Sequence, residues 1–395
     1  MKIVIANHEF RAHFPARIKY LHEHLKKNGH ELKIIELFGK SICYEFSNDD
    51  KAINDWEILF PSSDAHMVDG KEIEQKLTTR LNEIDPDVVL SGIATFPVGI
   101  ISLRWAKKNG KGIVEFGNAR KDTFAHNKLI HQIKRMMFRN VDAFFCPSPA
   151  WDESMMYWGF KKKEIFYGLN VANNAFWLTS VENIHFHNLP QSYFLTCGRQ
   201  VQMKNLPRLL KCFFKYKEEG GKLPLVMIGD GVLHDTLEEI AKGRNDVIFL
   251  PFLNHDKIKE VFVQARALLL PSFKEETWGI VANEAMASGV IVGVSNECGC
   301  SSTIVVDDYN GYTFSAYDEN QIINTLHKIE QIPNEKFLQM KENARTLILD
   351  WGVERFAKGA FAAAEYALNN KKKINNPIDK LLINSWRGRM TVTNK

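Results

Sequence analysis

Four charged side chains in the second half of the sequence have types and spacings that fit one chemistry. Glu276 and Glu284 stand with seven residues between them in Pro271-Ser272-Phe273-Lys274-Glu275-Glu276-Thr277-Trp278-Gly279-Ile280-Val281-Ala282-Asn283-Glu284-Ala285-Met286-Ala287-Ser288-Gly289. A carboxylate can accept two hydroxyl donors at once, so each suits a sugar diol. Apolar runs at 267–270 and 290–294 flank the stretch and read as buried parallel strands. The helix between them is expected to open near Gly279 and to stop at Gly289, a left-handed residue just past its end. The first amides, those of Gly279, Ile280 and Val281, then lie at the carboxyl edge of a sheet, where open α/β sheets bind ligands, and form an anion site suited to a diphosphate. The expected order is sugar at Glu276, diphosphate at the helix mouth and ribose at Glu284, with Thr277 and Trp278 completing the donor contacts. Taken alone, a solvated Glu followed by a helix Glu paired with a base would give the same letters.

Arg199 and Lys204 supply the complementary charge. Arg199 follows Gly198 at the end of a strand, and Lys204 precedes the helix start at Asn205-Leu206-Pro207, so both fall on the same carboxyl edge. Two cations offset the roughly two negative charges of a diphosphate, Arg with bidentate geometry, and no divalent metal is then required. A solvated Arg and Lys beside a turn is the plainer alternative. Gly229-Asp230-Gly231 reads as a tight strand-to-helix turn. The nucleobase is expected near Phe252-Leu253-Asn254, with Leu253 in the donor site.

These segments carry a family resemblance. The E-x7-E pattern, Cys197-Gly198-Arg199 with Lys204 five residues after Arg199, Ile228-Gly229-Asp230-Gly231, Val247-Ile248-Phe249-Leu250-Pro251-Phe252 and Asn310-Gly311-Tyr312 follow one another over residues 192–365. In that order they resemble the retaining glycosyltransferases of family 4 (glycosyl transferases group 1), which have the GT-B fold. The resemblance implies an α/β architecture of two Rossmann-like, doubly wound parallel-sheet domains facing a cleft. It implies metal-independent transfer of a hexose, with retention, from a nucleotide-diphosphate-sugar to a glycan or glycolipid in cell-surface polysaccharide or glycoconjugate synthesis. Arg199 and Lys204 would stabilise the leaving diphosphate, with Glu276 at the sugar. A UDP-sugar is expected over a GDP-sugar, as substrate and with no cofactor. Spacing alone leaves inversion open. A GT-B nucleotide-sugar epimerase, a phosphorylase and a catalytically silent nucleotide-sugar binding protein are the alternative readings, although no pyridoxal-phosphate lysine motif is visible.

The elements that must position these residues follow from length and periodicity. A chain of 395 residues exceeds what one core usually holds, so two domains are expected. With 45% apolar and 25% charged residues the composition is that of a soluble protein. There is no run of eighteen apolar residues, and the first residues lack a signal-peptide pattern, so the expected location is the cytoplasm. A net charge of +4 without an aromatic-interleaved basic stripe argues against nucleic acid as a partner. Six cysteines make no disulfide framework, and Cys298-Gly299-Cys300 lacks the second pair that a zinc site would need.

Strands are expected at 2–6, 30–37, 87–90, 112–116, 142–146 and 164–167, alternating with helices at 15–27, 71–83, 97–108 and 124–139 and another near Trp151. A second series has strands at 193–197, 225–228, 247–250 and 268–270 and helices at 207–217, 235–242 and 256–265; after Gly311 the pattern is helical, at 319–331, 335–349 and 353–369. Residues 39–70 read as an excursion or short hairpin, and Asp85-Pro86-Asp87 as a turn. The expected division is 1–172 as the acceptor-binding domain, 173–191 as linker, 192–350 as the donor-binding domain, and 351–395 as a helix crossing back toward the first domain, with a basic tail.

On the acceptor side the chain departs from the family. Many members have a glycine-rich loop after the first strand; here stands Asn7-His8-Glu9-Phe10-Arg11-Ala12-His13. Many carry a His at the end of the strand equivalent to 112–116, where this chain has Glu115-Phe116-Gly117-Asn118. His8, Glu9, His13 and Asn118 are therefore the candidate acceptor-binding residues. Glu115 is the candidate to orient or deprotonate the acceptor hydroxyl, or else a strand-end partner of Arg120 or Lys121. The expected helix from His126 to Arg139 mixes Lys128, Lys134, Arg135 and Arg139 with Leu129, Ile133, Met136, Met137 and Phe138. It is a candidate for peripheral contact with an anionic membrane, or a solvated basic face over a packed apolar one.

Overall fold

Apolar runs flanked by amphipathic helices give this chain two parallel sheets, each in its own unit. The structure, a computed structural model, describes residues 1–39, 53–63, 68–124, 127–179, 181, 186 and 188–389. One unit comprises Met1–Val171 with Val353–Lys395, the other Ala172–Gly352.

The first unit holds β1 (Lys2–Asn7), β2 (Glu31–Phe38), β3 (Trp56–Phe60), β4 (Val88–Gly92), β5 (Gly112–Phe116), β6 (Ala143–Cys146) and β7 (Ile165–Tyr167), in the order β3-β2-β1-β4-β5-β6-β7 with every pair parallel. β4, β5 and β6 are buried along their whole length, which is why they read as continuous apolar runs. The chain winds outward from β1 to β3 and then resumes on the other side at β4. The carboxyl ends of β1 and β4 therefore flank a topological switch point, the usual ligand position in such sheets.

Two expectations change. Residues 39–70 contain no hairpin among the described residues: β3 is a parallel edge strand, in register with β2 at Ile34 and Trp56. Its pairing is fixed from the side, because the Trp56 indole donates to Glu36 at 2.8 Å and Phe60 stacks on Phe38. The remainder of that stretch, 40–52 and 64–67, lies outside the described residues. The helix expected from 124 begins at Lys128, where the Asn127 side chain caps the Ile130 amide at 2.9 Å; His126 lies outside the described residues. Asp85 does end a helix, with φ +48°, and the Asp87 carboxylate accepts from the Lys2 amide at 2.7 Å, on the amino edge of the sheet.

The helix Val353–Asn369 belongs to the first unit. Its small-residue face, with Ala357, Ala360, Ala363, Ala364 and Ala367 buried, lies on that sheet, and Phe356 meets Phe145 at 5.4 Å. Gly359 lets the helix come down on β7: a Cβ there would collide with the Tyr167 carbonyl. The helix Pro377–Ser385 is tied on by Asp379, which pairs with Arg139 and accepts from Asn140 at 2.9 Å.

The second unit holds β8 (Tyr193–Cys197), β9 (Leu225–Ile228), β10 (Val247–Leu250), β11 (Ala265–Leu270), β12 (Ile291–Ser295) and β13 (Gly311–Phe314), in the order β10-β9-β8-β11-β12-β13, again all parallel. β13, where no element was expected before the helix at 319, is a four-residue strand, and a Cβ at Gly311 would collide with the Val292 carbonyl of β12. The stretch expected as linker contains the helix Asn174–Leu178, which is part of this unit: Trp177 is buried and Asn174 donates to the Ile348 carbonyl at 2.6 Å. The core on one face of the sheet gathers Phe194, Leu209, Phe213, Tyr216, Met227 and Leu269.

Gly359→Ala tests the docking of the C-terminal helix. Overpacking of this kind costs about 1–3 kcal/mol, so urea unfolding followed by near-UV dichroism should show the first unit losing stability. An unchanged midpoint would mean that the helix does not approach β7 so closely.

Candidate active site

In the second unit the switch point lies between β8 and β11, and the loops at their carboxyl ends bring together the residues singled out in the sequence. β8 ends in Gly198, with φ +141°, a conformation that favours glycine. Beside it, a Cβ on Gly229 would strike the Gly198 carbonyl, and one on Gly231 would approach the Gln200 backbone at 2.6 Å. Gln200 also donates to the Asp230 carbonyl at 2.7 Å. Gly229-Asp230-Gly231 is thus the packing partner of the Gly198–Gln200 turn.

After Arg199 the chain makes a short 3-10 turn, Gln202–Lys204, closed by Asn205 at φ +55°. This returns the Lys204 side chain over Gly198, where its Nζ would lie 3.7 Å from a Cβ. There Lys204 forms an ion pair with Glu276, and both side chains are mostly buried. Lys204 and Glu276 are therefore a single charge-balanced unit. Arg199, half-buried, follows Gly198 just past the end of the same strand.

The loop bearing Glu276 is held from β12. The Gly299 amide donates to the Glu276 carbonyl at 3.1 Å and the Cys300 amide to that of Trp278 at 2.9 Å, while a Cβ on Gly299 would collide with the Thr277 carbonyl. Cys298-Gly299-Cys300 is therefore the backing of this loop. No metal-binding group of His, Cys, Asp or Glu occurs among the described residues. The described cysteines are free thiols, and burial pushes Cys197, beside Lys204 and Glu284, up to about 12. The Trp278 ring is enclosed, donating to Asn283 at 2.8 Å and packing on Trp351 at 5.3 Å, so it forms core rather than a ligand surface. Gly279, at φ +91°, turns the chain beneath Leu270 and Glu276.

The helix after this loop is shorter than expected, Val281–Ala287, with Ile280 as its N-cap. Glu284 accordingly lies in its first turn. The end is as read: Gly289, at φ +76°, donates to Met286, and Val290 to Ala285, a Schellman closure. Glu284 is buried, with His255 Nε2 4.0 Å from its carboxylate. Burial lowers the His255 pKa, so the imidazole is neutral at pH 7. His255 was missed in the sequence, although it follows Asn254, which caps its helix, in the loop assigned to the base. It packs on Trp177 at 5.5 Å, a residue hidden by the linker reading. Leu253 is buried, and Phe252 beside it is 57% exposed.

In the first unit, the loop after β1 is organised by a residue not assigned a role. Glu36, fully buried, pairs with Arg11 and accepts from the Phe10 amide at 3.1 Å, and Arg11 also donates to the Gly39 carbonyl at 2.9 Å. These bonds fix the Asn7–His13 segment. His8 lies between Phe96 at 5.3 Å and Phe38 at 6.4 Å, and burial lowers its pKa to about 4, so it is a neutral aromatic at pH 7. Glu9 and His13 are half-exposed, His13 at the start of the helix Phe14–Lys27. The Asn118 carbonyl accepts from the Trp151 indole at 2.9 Å. Glu115 is a correction: its side chain is completely enclosed rather than open to an acceptor. β5 lies between β4 and β6, and the loop following β4 covers its end near Ala94. Neither Arg120 nor Lys121 is its ion-pair partner; Lys121 pairs with Glu153.

With this geometry in place, the chain can be set beside known proteins. Residues 180–347 match the family described as Glycosyl transferases group 1, a span within the second unit that contains every donor-side residue from Arg199 to Glu284. The two parallel-sheet units are those of GT-B glycosyltransferase structures. Among particular proteins, the chain is similar to the uncharacterized glycosyltransferase MJ1607 of Methanocaldococcus jannaschii, 29% identical over 54% of this chain and 49% of that protein. The chain thus spans about half the length of this curated relative. Its fold is similar to that of a glycosyltransferase from Rickettsia africae ESF-5, with TM-score 0.74 at 12% identity over 93% of this chain and 99% of that one. It is also similar to Anabaena Alr3699/HepE in complex with UDP-glucose, with TM-score 0.69 at 12% identity over 91% and 97% of the two chains.

Glu115 has a measurable signature. Burial raises its pKa from 4.5 to about 8, against the weaker opposing effects of the Ala94 backbone and Lys107. Between those values the folded chain holds a proton that the unfolded chain has released, so stability is full at low pH and falls as pH rises, by up to about 1.4 kcal/mol per unit. Glu115→Gln has no such titration. Its stability relative to the parent, from urea unfolding at pH 5, 6.5 and 8, should grow with pH; a constant difference would show that Glu115 is ionised in the fold.

Proposed function

We propose that the protein is a retaining, metal-independent glycosyltransferase that moves a hexose from a UDP-sugar to a glycan or lipid-linked glycan. One observation carries this reading. The Lys204–Glu276 pair stands beside Gly198-Arg199 at the switch point of the second sheet, inside the span that matches the glycosyltransferase family. UDP-glucose in the structurally similar Anabaena protein supports the choice of nucleotide.

In this reading Arg199 and Lys204 meet the diphosphate, and Glu276, held by Lys204, meets the sugar hydroxyls. Glu284 accepts from the ribose diol, with the neutral imidazole of His255 beside it. The bond from the anomeric carbon to the phosphate oxygen breaks with its electron pair on the phosphate, where fixed positive charge stabilises the growing negative charge. The acceptor oxygen bonds to the same face of the anomeric carbon, and its proton passes to the departing phosphate, a route that needs no carboxylate at Glu115. The protein would work in the cytoplasm; no helix among the described residues is long and apolar enough to cross a membrane. The exposed, basic face of Lys128, Leu129, Ile130 and Arg135 supports peripheral contact with an anionic membrane that carries the acceptor.

Release of UDP from a panel of UDP-sugars, with and without crude glycan acceptors, tests the reading. Acceptor-dependent release that survives EDTA is expected; binding without release would leave a silent binding protein. Arg199→Ala and Lys204→Ala should each lower kcat more than donor affinity, by about 2.7–4 kcal/mol in the barrier. Unchanged turnover in both would remove these cations from the reaction.

The ion pair makes a second prediction. Glu276→Gln removes the counter-charge of Lys204, so calorimetry should show UDP binding about fivefold tighter, a gain of roughly 1 kcal/mol, while transfer is lost. Glu284→Ala should weaken UDP. Weaker UDP binding in Glu276→Gln would place Glu276 on the nucleotide instead.

A further inference from the structure

The loops on the carboxyl edge of the second sheet form a row in strand order: 251–254 after β10, 229–231 after β9, 198–204 after β8, 271–279 after β11, 296–300 after β12 and 315–318 after β13. With the nucleoside at the β10 end, the diphosphate at β8 and the donor sugar at Glu276, two loops extend past the sugar. The second of them carries Tyr317, which meets Phe273 of the Glu276 loop in an aromatic surface with no role in the donor site. Tyr317 is 57% exposed, and its ring stacks on Phe273 with centroids 5.3 Å apart and planes 23° from parallel.

This pair is rigidly joined to the site. Asn205, next to Lys204, donates both to the Pro271 carbonyl at 3.1 Å and to the Ala316 carbonyl at 3.0 Å. Arg208 donates to the same Ala316 oxygen at 2.7 Å and lies over the Phe273 ring at 5.9 Å. The Tyr317 amide is held by Ser315 Oγ at 3.2 Å, and the Ser315 amide by Gln321 at 2.9 Å. One turn thus positions both the catalytic-side lysine and the aromatic stack, so a ring lying on Tyr317 has a fixed relation to Glu276.

The surroundings define what that ring is. The carboxylates of Glu297 and Glu275 lie within electrostatic reach of the Tyr317 hydroxyl, as does the guanidinium of Arg208, which is turned to the Ala316 carbonyl and Glu319; Asp318 follows directly, so negative charge is in excess. Carboxylates accept from hydroxyl groups and repel anions, and an aromatic face takes an apolar surface edged with polar groups. A pyranose has both: a face of C–H bonds and a rim of hydroxyls. A uronic acid or a phosphorylated sugar would meet like charge.

We propose that Phe273 and Tyr317 form a platform for an uncharged pyranose ring of the acceptor glycan, next to the donor sugar. The proposal rests on the glycosyltransferase reading above. It makes the acceptor a neutral sugar at this position, selected by contacts on the donor-side unit.

The probes are the methyl glycosides of glucose, galactose and mannose, and the methyl glycoside of glucuronic acid, each followed by saturation-transfer NMR on the full-length protein, with calorimetry of UDP in parallel. At least one neutral glycoside should receive saturation on its ring C–H protons, and the glucuronide much less. Tyr317→Ala should weaken the neutral glycoside about tenfold, Tyr317→Phe should retain it, and neither should change UDP affinity. Absence of saturation for all three neutral glycosides, or full binding in Tyr317→Ala, overturns the platform. Loss of UDP binding by the parent protein would instead overturn the glycosyltransferase reading, leaving the glycoside result to decide the platform by itself.

Discussion

The ion pair between Lys204 and Glu276 is the constraint around which the second unit is built. Mostly buried opposite charges must find each other or incur a large desolvation cost, and here they come from loops after two neighbouring strands. To let them meet, β8 ends in a glycine at φ +141°, the chain turns back through a left-handed Asn205, and the Glu276 loop is braced by Gly299 and Cys300. The glycines at 198, 229, 231 and 299 all stand where a Cβ would reach a neighbouring backbone or the lysine itself. The site is thus a close meeting of main chains with one neutralised charge pair on top.

Much of this was legible in the sequence, because strands buried on both faces and glycines at loop ends leave letters behind. The strands 112–116, 193–197, 225–228 and 247–250 have the limits that periodicity gave them. β3 and β13 were not legible: they are edge strands, as β7 and β10 are, but their placement rests on contacts outside their own letters, Trp56 with Glu36 and Gly311 with Val292. The helix Asn174–Leu178 was hidden because five residues hold too little periodicity to be seen against an Asn-rich background.

At the site the letters identified residues better than relationships. Glu276 and Lys204 were each visible, yet their pairing was not, since nothing local links residues so far apart. Trp278 reads as a ligand contact beside Gly279, but its indole turns inward to Asn283. Glu115 shows the converse. Its place at the end of a strand pointed outward, and only the covering loop after β4 shows that it is enclosed. A charged letter at a strand end carries no information about the loop of another strand that closes over it.

The second unit is continuous in sequence, whereas the first is completed by the helix Val353–Asn369. Synthesis therefore delivers the parts in an unusual order. Domains commonly fold as units, the earlier ones first, but here the β1–β7 sheet is made first and must wait for its last helix while all of residues 172–352 is translated. During that interval the part of the sheet that the helix will cover, with the Tyr167 carbonyl that Gly359 will meet, has no partner. The later unit can reach its final form on the ribosome first, while the earlier one keeps that part of its sheet uncovered until the chain has been made through Asn369.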